Sequence, residues 1–279
     1  MFEESLGKRK PTGREGIMHY LHSAPDIEVI EEAISWVRQK VHETIVLVDG
    51  SMLNDDERAI FELAGFSRLW QRGHIFSDIE ELGPLFIRAE HLSLDDFGWL
   101  RGILKNYAAE LPLISFIRIK NNAPNKWPDI LTWIANVHTE EGLALLLRYF
   151  DIRTLSIIFN SQNKFFTASQ EAAIAGAIEK FAWINHFGKF CSYTPAYSNQ
   201  AATALILNDH QLEMLYSQSL PDQIWAEIQK NKPGNSTVSA AIYSRIFELL
   251  EKTDVIQGSF ANLVQFIRKK YQRCLSTPF

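Results

Sequence analysis

Short apolar runs alternate along much of this chain with longer stretches whose apolar positions recur every three or four residues. In 24–41, Ile27, Ile30, Ile34, Val37 and Val41 fall on one face, which predicts a helix with Asp26 as its N-cap. TIVLV, 44–48, is an apolar run closed by Asp49-Gly50, the pattern of a buried strand. A helix over 54–65 is expected next, capped by Asn54 and stopped by Gly65. PLFIRA, 84–89, reads as a strand. The helix predicted over 93–110 opens with Ser93 and Asp96 in a capping-box pattern. LPLISFIRIK, 111–120, is a strand, and 127–137 a helix with Pro128 in its first turn, where a missing N–H costs little. LALLLRYF, 143–150, reads as another strand. The alternation predicts an α/β fold: an N-terminal sheet domain with flanking helices over 17–190, after a mobile stretch 1–16.

From 191 the pattern changes. Residues 191–201 are polar, hold Pro195 and read as a connection. A short strand-like TALIL follows, then helices starting near Asp209 and Pro221. Ile242, Ile246 and Leu249 line one stripe of 236–252; Phe260, Leu263, Val264, Ile267 and Tyr271 line one of 259–273. The expectation for 191–279 is a smaller, all-helical C-terminal lobe.

The run 143–150 ends in charge. Alternation puts Leu143, Leu145, Leu147 and Tyr149 on one face and Ala144, Leu146, Arg148 and Phe150 on the other. Both faces are apolar until the end, which predicts a strand covered on two sides. Asp151 can then cap a helix beginning at Ile152, and Arg148 or Arg153 can reach a carboxylate in the bidentate fork that fixes a turn. A phosphate site would use the same arginines but would also want glycine or exposed N–H groups, and no glycine flanks this corner. Asp49 and Asp151 together could instead hold a hard cation or act as acid and base, if both lie at carboxyl ends of parallel strands. Asp before Gly is also ordinary turn chemistry, and Asp at a strand-to-helix corner an ordinary cap.

Composition narrows the rest. At 279 residues, 46% hydrophobic and 22% charged, the chain can bury a core without disulfide or metal. A net charge of −5 argues against nucleic acid and gives no attraction to anionic lipid. The N-terminus lacks a secretory apolar core, and no run approaches the ~20 residues of a membrane helix. The two cysteines, Cys191 and Cys274, read as reduced thiols, so the expected location is cytoplasmic. Phosphate-loop, dinucleotide and nucleophile-elbow motifs are absent from the sequence, and no cofactor is called for. His19 and His22 have no third ligand nearby; Cys191 has only His186 as a potential base.

Three segments resemble the effector chaperones, or adaptor proteins, of type VI secretion. IVLVDGS is similar to their strand-then-Asp-Gly-Ala signature, ELGPLFIRA to their Gly-Pro-plus-apolar strand, and LLLRYFDIRTL to their Arg/Phe-aromatic-aromatic-Asp-Pro-Arg-Val run. Order and spacing agree over 43–187. Ser51, Ile152 and Thr154 stand where the pattern has alanine, proline and valine. The resemblance implies a non-enzymatic protein that holds the N-terminal segment of a secreted effector and helps place it on a VgrG-type spike. Asp49, Gly50, Gly83, Pro84, Arg148, Tyr149, Asp151 and Arg153 carry over as scaffold positions.

Aromatics are 12% of the chain, and aromatics anchor interfaces. Phe165, Phe166, Tyr193, Tyr197 and Trp225 are candidate partner contacts. The basic residues Arg268, Lys269, Lys270 and Arg273 could meet an acidic partner or simply form a solvated helix face. Two other readings stay open: a metal-dependent hydrolase using Asp49 and Asp151, and an immunity or scaffold protein that binds a toxin domain.

Overall fold

The computed structural model describes residues 25–71, 74–107, 113–185, 187–197 and 204–217. The N-terminal stretch 1–16, His19, His22, His186, Trp225, Cys274, the helices expected beyond 220, and Arg268, Lys269, Lys270 and Arg273 lie outside the described residues.

β1 (Thr44–Val48) is flanked by β3 (Leu85–Arg88) and β4 (Ile114–Ile119), antiparallel to both. β2 (Ser67–Arg68) extends the sheet beyond β3; β7 (Ile178–Ile184) and then β8 (Phe190–Tyr193) extend it beyond β4. The six strands run in the order β2-β3-β1-β4-β7-β8, and every pairing is antiparallel. A second sheet has three strands: β6 (Ala144–Leu146), β5 (Asn136–Thr139) and β9 (Ile206–Leu207), in that order. β5 is antiparallel to β6 and parallel to β9.

Seven α-helices lie among the described residues, besides short 3-10 turns: α1 (Ile27–Gln39), α2 (Asp55–Leu63), α3 (Leu94–Tyr107), α4 (Trp127–Ala135), α5 (Ile152–Ile158), α6 (Ala168–Ala175) and α7 (Asp209–Ser217). Their ends follow local chemistry. Asn54 and Glu57 form a reciprocal capping box on α2, and Gly65, at φ +91°, turns the chain away after it. Ser93 and Asp96 cap α3 in the same reciprocal way. Thr167 with Gln170 starts α6, and Asn208 with Gln211 starts α7.

The large sheet is covered on both faces, so its central strands carry apolar side chains on both. Ile45 and Leu47 of β1 join Ile117 of β4 and Phe181 of β7 in one core, beneath Leu131, Leu155 and Ile174 from α4, α5 and α6. Val46 and Val48 join Phe116 and Ala182 in the other, against Ile34, Phe61 and Leu100 from α1, α2 and α3. All five residues of β1 are buried for this reason.

Several expectations are corrected. The sheet is antiparallel, so strand carboxyl ends do not collect along one rim. The run 143–150 is not a central strand: only Ala144–Leu146 is extended, at the edge of the small sheet, with Leu143 60% exposed. Tyr149 and Phe150 are fully buried but lie in a turn closed by the Asp151 N–H to the Arg148 carbonyl. Asp26 sits at the N-cap of α1 without a side-chain cap bond, and Ile27 is exposed. Residues 190–193, expected near a domain boundary, form β8 of the large sheet, so the limit at 190 cuts a strand. Among the described residues no helix is long and apolar enough to cross a membrane.

Candidate functional site

β1 is followed directly by Asp49, which caps the 3-10 turn Gly50–Met52. Its Oδ1 accepts from the Ser51 N–H (3.0 Å) and the Ser51 hydroxyl (2.7 Å), and its Oδ2 from Arg148 Nη2 (2.8 Å). The Asp49 N–H donates to the Leu113 carbonyl just before β4. Its side chain is 2% exposed and that of Arg148 35%. Burial pushes the Asp49 carboxyl up, against the attraction of Arg148; the nearby Asp151 charge adds to the rise.

Arg148 also donates to the Ser51 hydroxyl and lies 3.9 Å from Asp151 Oδ2. Asp151 caps α5 by accepting the Arg153 N–H at 2.9 Å. The Arg153 guanidinium grips the same carboxylate bidentately, Nε to Oδ1 at 3.0 Å and Nη2 to Oδ2. Burial acts to raise the Asp151 carboxyl, but the Arg153 hydrogen bonds and charge, with Arg148 behind them, outweigh it and hold it low.

The Gly-Pro segment closes the corner from the other side. A Cβ on Gly50 would lie 2.1 Å from the Gly83 carbonyl oxygen, and one on Gly83 would lie 2.6 Å from the Trp70 ring. Trp70 meets Phe150 edge-on, with ring centroids 5.6 Å apart. The Pro84 carbonyl accepts from the Leu69 N–H, continuing the β2–β3 ladder. Arg58, buried on α2, donates through Nη2 to the carbonyls of Gly50 (2.9 Å) and Glu81 (2.6 Å), tying the two loops together. Sequence reasoning missed Arg58. The available signal was its place three residues before Phe61, on the face of α2 that packs inward.

Asp49, Gly50, Gly83, Pro84, Arg148, Tyr149, Asp151 and Arg153 therefore converge on one corner. The two carboxylates meet on a guanidinium: Arg148 reaches both, where a cation held between them would have to sit. Among the described residues no group of three or more His, Cys, Asp or Glu side chains could hold a metal ion.

The aromatic candidates divide. Phe165 and Phe166 are 2% and 5% exposed and pack into the core near Phe159, so they offer no surface to a partner. The sequence hid this because both follow a polar stretch and precede a helix cap. Tyr193 is half-buried on β8, its ring against Phe159 and its hydroxyl donating to Glu171. Tyr197 is 73% exposed, with the Lys120 ammonium 5.7 Å above its ring. No family model matches the chain, and neither a curated protein nor a solved structure does.

Proposed function

We propose that this chain is an effector chaperone or adaptor of the type VI secretion kind. It would act in the cytoplasm, hold the N-terminal segment of a secreted effector and help load it onto a VgrG-type spike. One observation carries the reading. The three segments that resemble the family, far apart in sequence, meet at a single corner through the Asp49–Arg148 pair, the Gly50–Gly83 contact and Trp70, which bridges Gly83 and Phe150. Their charges are spent on one another, as scaffold positions require. The work then falls to exposed apolar surface, which includes Leu63, Leu143 and Tyr197.

Co-expression with candidate secreted toxins from the same genome is the direct test. The toxin's soluble yield should rise several-fold and the two chains should co-purify. Removing the toxin's N-terminal segment should abolish both effects. Unchanged yield without co-purification overturns the proposal. Rescue that survives removal of that segment favours an immunity or scaffold protein instead. Hydrolysis of a phosphoester that Asp151→Asn abolishes, with the fold intact, favours the enzyme.

A further inference from the structure

The small sheet ends in a strand whose outer edge nothing covers among the described residues. β6 pairs with β5 in the register Asn136–Leu146, Val137–Leu145, His138–Ala144. The flanking bonds, Leu147 N–H to Ala135 O and Thr139 N–H to Leu143 O, fix the phase of this ladder. In an antiparallel pair, hydrogen-bonded positions alternate with positions whose N–H and C=O point the other way. Leu143, Leu145 and Leu147 therefore face β5, while Ala144 and Leu146 turn their N–H and C=O outward. No described residue bonds to those outward groups.

Proteins usually blunt such an edge with a lysine, a proline, a bulge or a covering loop. Here the edge reads Leu-Ala-Leu-Leu. Leu143 is 60% exposed, Ala144 is exposed, and Leu145 and Leu146 are half-buried. On the same face of the small sheet as the Ala144 and Leu146 side chains, but at the opposite edge, β9 presents Ile206, 49% exposed, opposite His138. The turn that leads into β6 carries Glu140 and Glu141, both exposed, and neither is in a salt bridge with a cation among the described residues.

We propose that the free edge of β6 takes up an added strand from a partner polypeptide: an extended segment with apolar side chains at alternate positions and a lysine or arginine pair that abuts Glu140 and Glu141. Main-chain bonds to Ala144 and Leu146 supply the fit that is independent of side chains. The exposed Leu143 and the two glutamates select the segment. The identity of the partner as an effector's N-terminal segment rests on the adaptor reading above; the edge itself does not.

The test titrates the full isotope-labelled chain with short peptides of alternating threonine and valine, bearing Lys-Lys at one end or the other. Hydrogen exchange at the Ala144 and Leu146 amides should slow by about tenfold or more on binding, a gain of about 1.4 kcal/mol at that edge. The double change Glu140→Lys with Glu141→Lys should weaken binding by a similar factor. Ala144→Pro removes an outward N–H while leaving the bonds to β5, and should abolish it. If that variant does not fold, the charge reversal decides. Unchanged amides at saturating peptide overturn the proposal. So does protection of these amides that rises with protein concentration alone, which would assign the edge to a second copy. Co-expression separates the two readings. Loss of toxin rescue in Ala144→Pro supports the edge. Full rescue in that variant overturns the edge as the effector's dock and leaves the adaptor standing. Failure of rescue by the unaltered chain sinks the adaptor, and the peptide titration alone then decides the edge.

Discussion

Asp49 keeps a carboxylate in the interior because Arg148 and Ser51 surround it. Removing Arg148 would leave that charge buried with only Ser51 for company, and stripping one partner from a buried pair costs roughly 3–5 kcal/mol. Arg148→Met should therefore lower stability by about 3 kcal/mol in urea unfolding at neutral pH. Adding Asp49→Asn should recover much of the loss, because the uncompensated charge goes with it. Asp151 makes a pH-dependent prediction. Its folded carboxyl is held below the ordinary value, so between the two values the unfolded chain binds more protons and stability rises with pH. Its contribution is full above about pH 4 and is lost as pH falls through the lower, folded value. Asp49 has the opposite sign: its folded carboxyl is raised, so its contribution is greatest below the ordinary value and shrinks as pH rises through the folded one. Asp151→Asn should thus flatten the acid side of a stability profile built from urea midpoints, and should lower stability at neutral pH through the lost ion pair with Arg153, because asparagine caps a helix about as well as aspartate. A profile unchanged by that substitution would show that the Arg153 fork contributes nothing to folding.

At the scale of elements, the loops after β1 and before β3 are in van der Waals contact because both present glycine. Gly50→Ala drives a methyl against the Gly83 carbonyl, where backbone and not a flexible side-chain tip must yield. Overpacking of this kind costs about 1–3 kcal/mol or more. The variant should lose at least that much in thermal or urea unfolding, whereas Gly102→Ala, with nothing within 4 Å of the added carbon, should not. Elements bounded by sharp punctuation were legible in the sequence: β1 before Asp-Gly, α2 between Asn54 and Gly65, α3 behind its capping box. β7 was not, because Glu179 and Lys180 interrupt its apolar pattern near one end while Lys40 bonds Glu179 from outside the sheet. The rank of β6 was misread for the converse reason. Its leucines look like those of a central strand, and the burial they advertise belongs to Tyr149 and Phe150 in the turn beyond. The corner itself was half legible. Its residues could be named, but their meeting depends on β1 and β3 lying side by side, which no local pattern encodes.

For the whole molecule, the outcome that matters is a sheet clad on two sides by separate cores. Strand direction was beyond the sequence, since each helical connection is long enough to permit either sense. Native-state hydrogen exchange should rank the strands by position: amides of β1 and β4 slowest, near the global unfolding free energy, and the outward amides of β6 among the fastest. Comparable rates throughout would contradict the layered arrangement. The strand order has a consequence during synthesis. β4 is complete at Ile119, yet its neighbour β7 begins only at Ile178. While the ribosome makes the residues between, the nascent chain carries an apolar strand with one flank bare, open to mispairing with other growing chains. Synthesis that pauses once β4 has emerged from the ribosome but β7 has not should favour aggregation, and a pause after β7 has emerged should relieve it.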